Sequence, residues 1–430
     1  MALCSSTFKH HSYLQSSLTL LLFFASWGVW WSFFQIWLTD PESGLGLNGA
    51  QVGTIYSANS LGTLVIMLFY GVIQDKLHIK RHLVIFASVI MTLIGPFAIW
   101  VYRPLLEDVF FVGVFAGAIV LSAGFMAAVG LLEAFSERLS RIYNYEYGQA
   151  RMWGSVGYAV VALAAGFLFT VNPELNFWFG SAFGLLCLLV QICWKGQVMP
   201  GSTATNAAVT PSLREIVGGL YSPQMGAVIL FVLLSWTFYT VFDQQMFPQF
   251  YTQLFDSPER GQQVYGVLNS IQVFLEAIML GLVPILMRKA GVKTTLMLGM
   301  FVMFFRILGC AVFQDPVVIS FIKLLHAPEV ALCILPIFRY FTLHFNPALS
   351  ATLYMVGFQV ASQVGNIILS PVLGALRDDI GYQPTFYVIA GIVLVAGAYG
   401  MLILKRDDQH VEGDPFVRDS KGGSMIEKKA

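Results

Sequence analysis

Lys323, His326 and Glu329 stand three residues apart in the run Ile319-Ser-Phe-Ile-Lys-Leu-Leu-His-Ala-Pro-Glu-Val-Ala-Leu332, which is otherwise strongly apolar. On a helix that spacing drifts only about 60° per step, so an ammonium, an imidazole and a carboxylate form one slowly turning polar stripe. Such a stripe could carry a proton or an ion, or it could be a structural ion pair. Charges interrupt other apolar runs as well. The acids are Glu133 in Gly130-Leu-Leu-Glu-Ala-Phe135, Asp243 in Thr240-Val-Phe-Asp-Gln-Gln245, Glu276 in Val273-Phe-Leu-Glu-Ala277, and Glu329; the bases are Arg151, Arg306 and Lys323. In a bilayer each ionised side chain costs roughly 2.5–3.5 kcal/mol on the insertion scale and is by default a candidate for an ion or proton pathway. Left unpaired, the set would cost on the order of 20 kcal/mol. They must pair or line a wet cavity.

The elements that hold these charges are set by composition. Of the 430 residues 57% are hydrophobic and 11% charged, with mean hydropathy +0.71, whereas a soluble domain is about 25% charged. The chain therefore reads as an all-α, polytopic membrane protein with the lipid bilayer as its solvent. Its net charge of zero offers no bulk attraction to nucleic acid, and no nucleic-acid partner is expected. Cys4, Cys187, Cys193, Cys310 and Cys333 are odd in number and lack metal-site or disulfide spacing, so they read as packing residues and no metal is expected. The apolar run from Leu18 to Leu38 is too long for a signal-peptide core and lacks an A-x-A site, which makes it a span.

Counting apolar segments of about 20 residues places twelve spans near 17–38, 49–73, 83–102, 110–135, 148–171, 176–194, 225–249, 264–287, 294–313, 317–338, 349–372 and 384–404. The longest polar connection, Lys195 to Tyr221, divides them six and six. The expected organisation is one six-helix bundle over 1–194, a central loop over 195–222, a second bundle over 223–405 and a tail over 406–430. Lys76, Lys80, Arg81, Arg138, Arg141, Lys195, Arg214, Arg288, Lys289, Lys293, Arg339 and the basic tail all fall on one side, against Arg103, Arg260 and Arg377 on the other. By the positive-inside rule both termini are expected in the cytoplasm.

The charge count suggests a mechanism. Pairing three bases with three acids leaves one carboxylate over, and a carboxylate without a partner in a low dielectric tends to hold a proton. Glu329, flanked by Ala327, Pro328, Val330 and Ala331, is the expected spare acid; Lys323 can pair with Asp243, and Arg306 can approach when the proton must leave. Glu133 and Arg151 lie on consecutive spans and could face each other. An Arg fork beside a carboxylate suits vicinal hydroxyls, so a polar, uncharged ligand such as a sugar fits there. Among the aromatics, Trp30 and Tyr158 lie nearest a plausible midplane and are the expected sugar contacts. A membrane hydrolase would need a Ser and His pair or an H-E-x-x-H helix, and neither appears, so no enzyme is expected.

Two sets of residues carry a resemblance. Gly71-Val-Ile-Gln-Asp75-Lys76-Leu-His-Ile-Lys80-Arg81 resembles the G-x-x-x-D-[RK]-x-G-[RK] loop of the major facilitator superfamily, with Ile79 where the second glycine is usual, and a related basic loop, Arg288-Lys289-Ala-Gly291-Val-Lys293, follows one half later. Ile36-Trp-Leu38, Glu133-Ala-Phe135, Tyr147-Gly-Gln-Ala-Arg-Met-Trp-Gly154, Val241-Phe-Asp-Gln-Gln245, Lys323-Leu-Leu-His-Ala-Pro-Glu329 and Leu349-Ser-Ala-Thr-Leu-Tyr354 resemble the oligosaccharide:proton symporters, the bacterial lactose, raffinose and sucrose permeases. The resemblance implies the major facilitator fold in the bacterial inner membrane, a monomer, no cofactor, and the proton as coupling ion. It implies substrate binding by Glu133, Arg151, Trp30, Tyr158, Gln245 and Glu276, proton coupling by Arg306, His326 and Glu329, and a charge pair of Asp243 with Lys323. Against the lactose-transporting pattern, Thr240 and Ser362 replace an Asp and Lys pair, Tyr158 replaces a tryptophan, and the acid of span 8 falls three residues later, at Glu276. These departures look like the sucrose-transporting members, which makes sucrose the expected substrate. Lactose, melibiose, raffinose or maltose symport, or an uncoupled sugar facilitator, are the alternatives.

Overall fold

The structure is a computed structural model that describes residues 11–77, 80–143, 145–194, 222–345 and 353–407, with side chains throughout except at 71–77, 80–81, 138 and 141–142. The connection 195–221 and the tail from 408 lie outside the described residues, as does most of the Leu349–Tyr354 stretch. Eleven helices are long and apolar enough to cross a bilayer, and a bent pair makes a twelfth. They are α1 (His11–Thr39), α2 (Gly49–Leu77), the bent α3 (His82–Thr92 with Ile94–Asp108), α4 (Phe110–Glu137), α5 (Tyr147–Val171), α6 (Glu174–Cys193), α7 (Pro223–Thr252), α8 (Pro258–Ala290), α9 (Val292–Val312), α10 (Pro316–His344), α11 (Met355–Ile380) and α12 (Tyr382–Ile403). Helices satisfy their own backbone groups, which lipid cannot do, and the residues they turn outward, such as Leu68, Val160, Phe321 and Leu402, are apolar and exposed. Among the described residues there is no strand.

Gly71, Asp75 and Lys76 fall in the helical end of α2, and their side chains lie outside the described residues. Gly291 and Gly381, at φ 88° and 87°, each make a one-residue turn from one helix into the next, α8 into α9 and α11 into α12. Only glycine takes that backbone conformation at little cost.

α1 packs on α5 and α6, and α9 packs on α10 and α12, so helices within each half of the sequence gather together. The halves meet along α2 against α11 and α5 against α8. At the second seam a Cβ on Gly266 would sit 3.0 Å from the Cα of Gly166; the two glycines let the backbones touch. At the first, Asp378 of α11 accepts hydrogen bonds from the Gly49 N–H at 2.8 Å and the Ala50 N–H at 2.9 Å. A carboxylate from one half thus caps the first turn of a helix in the other. Ser57 donates to the Ile367 carbonyl at 2.7 Å, and Gln262 donates to Ser43 at 3.2 Å. These contacts cluster toward the ends of the helices remote from the lysine- and arginine-rich connections, and they bond the halves together at that base-poor face.

Candidate functional site

Two helices lose their regular ladder where the charges sit. In α7, five-residue π turns span Leu233–Thr237 and Phe242–Met246, the second containing Asp243. Pro248 follows, and having no N–H it leaves the Gln244 carbonyl free; Tyr56 of α2 donates to that carbonyl at 3.3 Å. In α10 the helix breaks at Leu325, just before His326, with Pro328 in the next turn. Such bulges re-aim side chains and recur at functional sites.

The re-aimed groups form a buried network. Arg306 of α9 is wholly buried, donating to Glu329 Oε2 at 2.9 Å and to Asp243 through its other terminal nitrogen. Lys323 Nζ lies 3.6 Å from Asp243 Oδ1, and His326 Nδ1 lies 3.3 Å from the same oxygen and 2.6 Å from the Tyr239 hydroxyl. Asp243 is therefore shared among three basic side chains from α9 and α10. Aromatic rings close the cluster: the Arg306 guanidinium carbon is 5.3 Å from the Phe242 centroid, and Lys323 Nζ is 4.8 Å from that of Phe247. A planar guanidinium between two carboxylates satisfies both geometrically. The pairing of Lys323 with Asp243 is present, but Glu329 is not the spare acid expected from the sequence. It already holds Arg306. Among the described residues the acid of the set without an ion pair is Glu276 of α8, which faces the cavity. Spacing within α10 could not reveal this, because the competing partner comes from α9.

The first half holds a second, looser pair. Arg151 Nε donates to Glu133 Oε1 at 2.6 Å, and both side chains are about a third exposed (32% and 33%). Phe24 lies beneath the guanidinium, 4.2 Å from its carbon.

Arg151 of the looser pair and Asp243 of the buried network border two adjoining compartments between the halves, and Glu133 borders neither. One compartment, about 270 Å³, lies among α1, α5, α8 and α10 and is lined by Arg151, Tyr158, Asn269, Gln272, Glu276 and His326, among others. A second, about 410 Å³, adjoins it along α1, α2, α7 and α11 and shares Trp31, Tyr56, Asp243, Gln244, Glu276 and His326 with the first. Gln245 borders the second, its amide donating to Ser370 at 2.8 Å. Trp30 borders neither. Its ring is 1% exposed and packs 5.0 Å from Phe125 and 6.0 Å from Phe177; Trp27 and Trp31 face the cavity in its place. The expectation for Trp30 is corrected accordingly: it is core. Asn269, Gln272 and Glu276 were legible as one polar face, since three- and four-residue spacings align on a helix. Tyr56 and Gln35, whose Oε1 accepts the Gln249 N–H at 3.0 Å across the halves, left no pattern in the sequence. Among the described residues no group of His, Cys, Asp and Glu is placed to hold a metal ion. What the arrangement offers is a polar cavity beside a charged cluster whose innermost members, Arg306 and Glu329, are wholly buried.

Comparison with known proteins points the same way. The profile of the LacY proton/sugar symporter family matches residues 5–413. The chain is 40% identical to the sucrose permease of Escherichia coli over 404 residues, covering 94% of this chain and 96% of the relative. It is 33% identical to the raffinose permease of Escherichia coli, covering 91% and 92%. Its fold is shared with the crystal structure of the nucleoside transporter NupG, with a TM-score of 0.76 at 16% identity over 92% of this chain and all of that one.

Proposed function

This chain belongs to the LacY family of proton/sugar symporters, and from that premise we propose that the oligosaccharide it imports is sucrose, by alternating access of its two six-helix halves. As a family member it is a transporter and not an enzyme, and the proton is its coupling ion rather than a bound cofactor. The observation that carries the reading is Arg306, wholly buried between Asp243 and Glu329. A facilitator has no use for so costly a cluster.

In this reading Glu329 takes the coupling proton. Its Oε1 is buried without a hydrogen-bond partner among the described residues, so a proton added there displaces no existing bond, while Arg306 stays on Asp243. With that proton, the acids and bases inside the spans balance and the loaded carrier turns over without net charge in the bilayer. Without it, Arg306 compensates Glu329 on the return. His326 couples the cluster to the cavity, since it touches Asp243 and Tyr239 and borders both compartments. Glu133 and Arg151 exchange their mutual bond for sugar hydroxyls, and Tyr158, Gln245 and Glu276 complete the binding set. Sucrose is supported by the neutral Thr240 and Ser362, by Tyr158, and by similarity to a relative named sucrose permease. The lysine- and arginine-rich face lies in the cytoplasm with both termini, in a bacterial inner membrane. The face at which the halves are bonded together then points outward, and in this reading the site is reached from inside. One chain contains the whole cavity, so a monomer suffices.

The test is uptake of labelled sucrose into energised cells. The unchanged protein should accumulate sucrose against its gradient, and Glu329→Gln should abolish accumulation while sparing exchange across the membrane. Accumulation by Glu329→Gln equal to that of the unchanged protein would remove Glu329 from coupling; accumulation of raffinose, melibiose, lactose or maltose in place of sucrose would replace the substrate.

A further inference from the structure

The charged compartment is small for a disaccharide. At about 270 Å³ it falls short of the ~300–1,000 Å³ of small-molecule sites, whereas the adjoining compartment adds about 410 Å³. That second space has a different chemistry. Apart from Asp243, Glu276 and His326 on the shared border, its described lining carries no carboxylate, imidazole, ammonium or guanidinium; its polar groups are hydroxyls and carboxamides, backed by Trp27, Trp31 and Trp236.

Most of its polar groups are already engaged. Thr240 donates to the Trp236 carbonyl at 2.7 Å, Ser362 to Phe358 at 2.6 Å and Thr63 to Asn59 at 2.7 Å, each bond closing within its own helix. Two buried carboxamides carry orphaned atoms. Asn59 of α2 is 2% exposed, and neither Oδ1 nor Nδ2 has a partner among the described residues; Asn366 of α11 is 8% exposed, and its Oδ1 has none. Buried amides are nearly always hydrogen-bonded, because leaving them bare in an apolar setting is costly. An orphaned carboxamide on each half, both on the wall of one cavity, is hydrogen-bonding capacity that a ligand's hydroxyls take up once the side chains turn toward the space.

The geometry points to a second glycosyl subsite, in which Asn59 and Asn366 bind the hydroxyls of the disaccharide's second ring while the indoles cover its apolar faces. This rests on the reading of the cavity as a sugar site. A carboxamide offers both a donor and an acceptor, matching a sugar hydroxyl, and a neutral wall takes an uncharged ring without leaving a charge unpaired. Asn59 and Asn366 are then specificity-determining: a single ring seated at Arg151 and Glu133 does not use them, and a disaccharide does. Because they come from α2 and α11, which meet across the halves, the second ring is also held by both halves at once.

Binding to purified protein separates the two rings. Asn59→Ala and Asn366→Ala should each weaken sucrose roughly tenfold, the loss of about one good hydrogen bond, and leave methyl α-D-glucopyranoside within twofold of the unchanged protein. Equal weakening of both ligands, or no effect on sucrose, overturns the subsite. If either variant fails to fold, Asn366→Cys gives a second reading: sucrose should slow its alkylation by N-ethylmaleimide several-fold and the methyl glucoside should not, and equal or absent protection overturns the subsite. If the unchanged protein binds another disaccharide instead of sucrose, the substrate assignment fails while the same comparison, run with that sugar, decides the subsite. Binding of no sugar overturns both.

Discussion

Two ion-pair sites within the spans, one in each half of the sequence, contain the same kinds of side chain and differ sharply in burial. Glu133 and Arg151 make one short bond at the cavity wall, each about a third exposed. Arg306 and Glu329 are wholly buried and bonded to each other, and Arg306 also holds Asp243, which reaches the cavity and has Lys323 and His326 crowded onto it. An exposed pair gains little from its own contact, typically within about 1 kcal/mol, so a ligand can exchange into it at small cost. In a buried network every member depends on the others. On the proposed function, the pair in the first half exchanges partners with the sugar, while the network in the second keeps a fixed count of charges.

The sharpest way to break this contrast is to delete the shared cation. Arg306→Met leaves Glu329 buried without a cation, Asp243 keeping Lys323, and should cost about 3–5 kcal/mol, read as a large fall in melting temperature of the detergent-purified protein. Adding Glu329→Gln should recover most of it, because the remaining pair of Asp243 with Lys323 is neutral. A small effect of Arg306→Met would mean that the cluster is wetter than the structure has it.

Arg151→Lys asks the complementary question. It should change stability by no more than about 1 kcal/mol. Sugar affinity should fall by roughly ten- to a hundredfold, because an ammonium cannot present the planar fork and charged hydrogen bonds are worth about 1.5–3 kcal/mol. Titration calorimetry alongside thermal melting separates these outcomes; a large loss of stability with intact affinity would reverse the roles of the two sites.

The smallest effect is expected at the seam. Asp378→Ala removes the carboxylate that caps α2 from the other half, a change worth about 0.5–2 kcal/mol. It should favour opening at the base-poor face and raise several-fold the alkylation rate of a cysteine placed at Gln35. An unchanged rate would show that the cap does not help to hold that face shut.

Much of this was readable in the sequence, for definite reasons. The spans announce themselves because lipid demands about 20 apolar residues. Glu133 and Arg151 could be matched because consecutive helices leave few alternatives. The assignment of Glu329 as the unpaired acid failed because Arg306 comes from another helix, and which of four acids it meets is a matter of packing. Trp30 and Trp31 are neighbours about 100° apart on α1, a helix so apolar and so buried around its circumference that no periodicity distinguishes the core side from the cavity side. Pro248 and Pro328 were visible, and they mark where α7 and α10 depart from regularity. The direction in which those departures turn Asp243 and His326 depends on neighbours the sequence does not name.

The decisive measurement is the pH of a lightly buffered, anaerobic suspension of cells producing this protein, followed through pulses of sucrose, lactose, raffinose and maltose. Transient alkalinisation on sucrose that disappears in Glu329→Gln is expected if sugar and proton move together and the buried cluster carries the proton. Entry of labelled sucrose with no change in pH would leave the Arg306 network without a part in coupling.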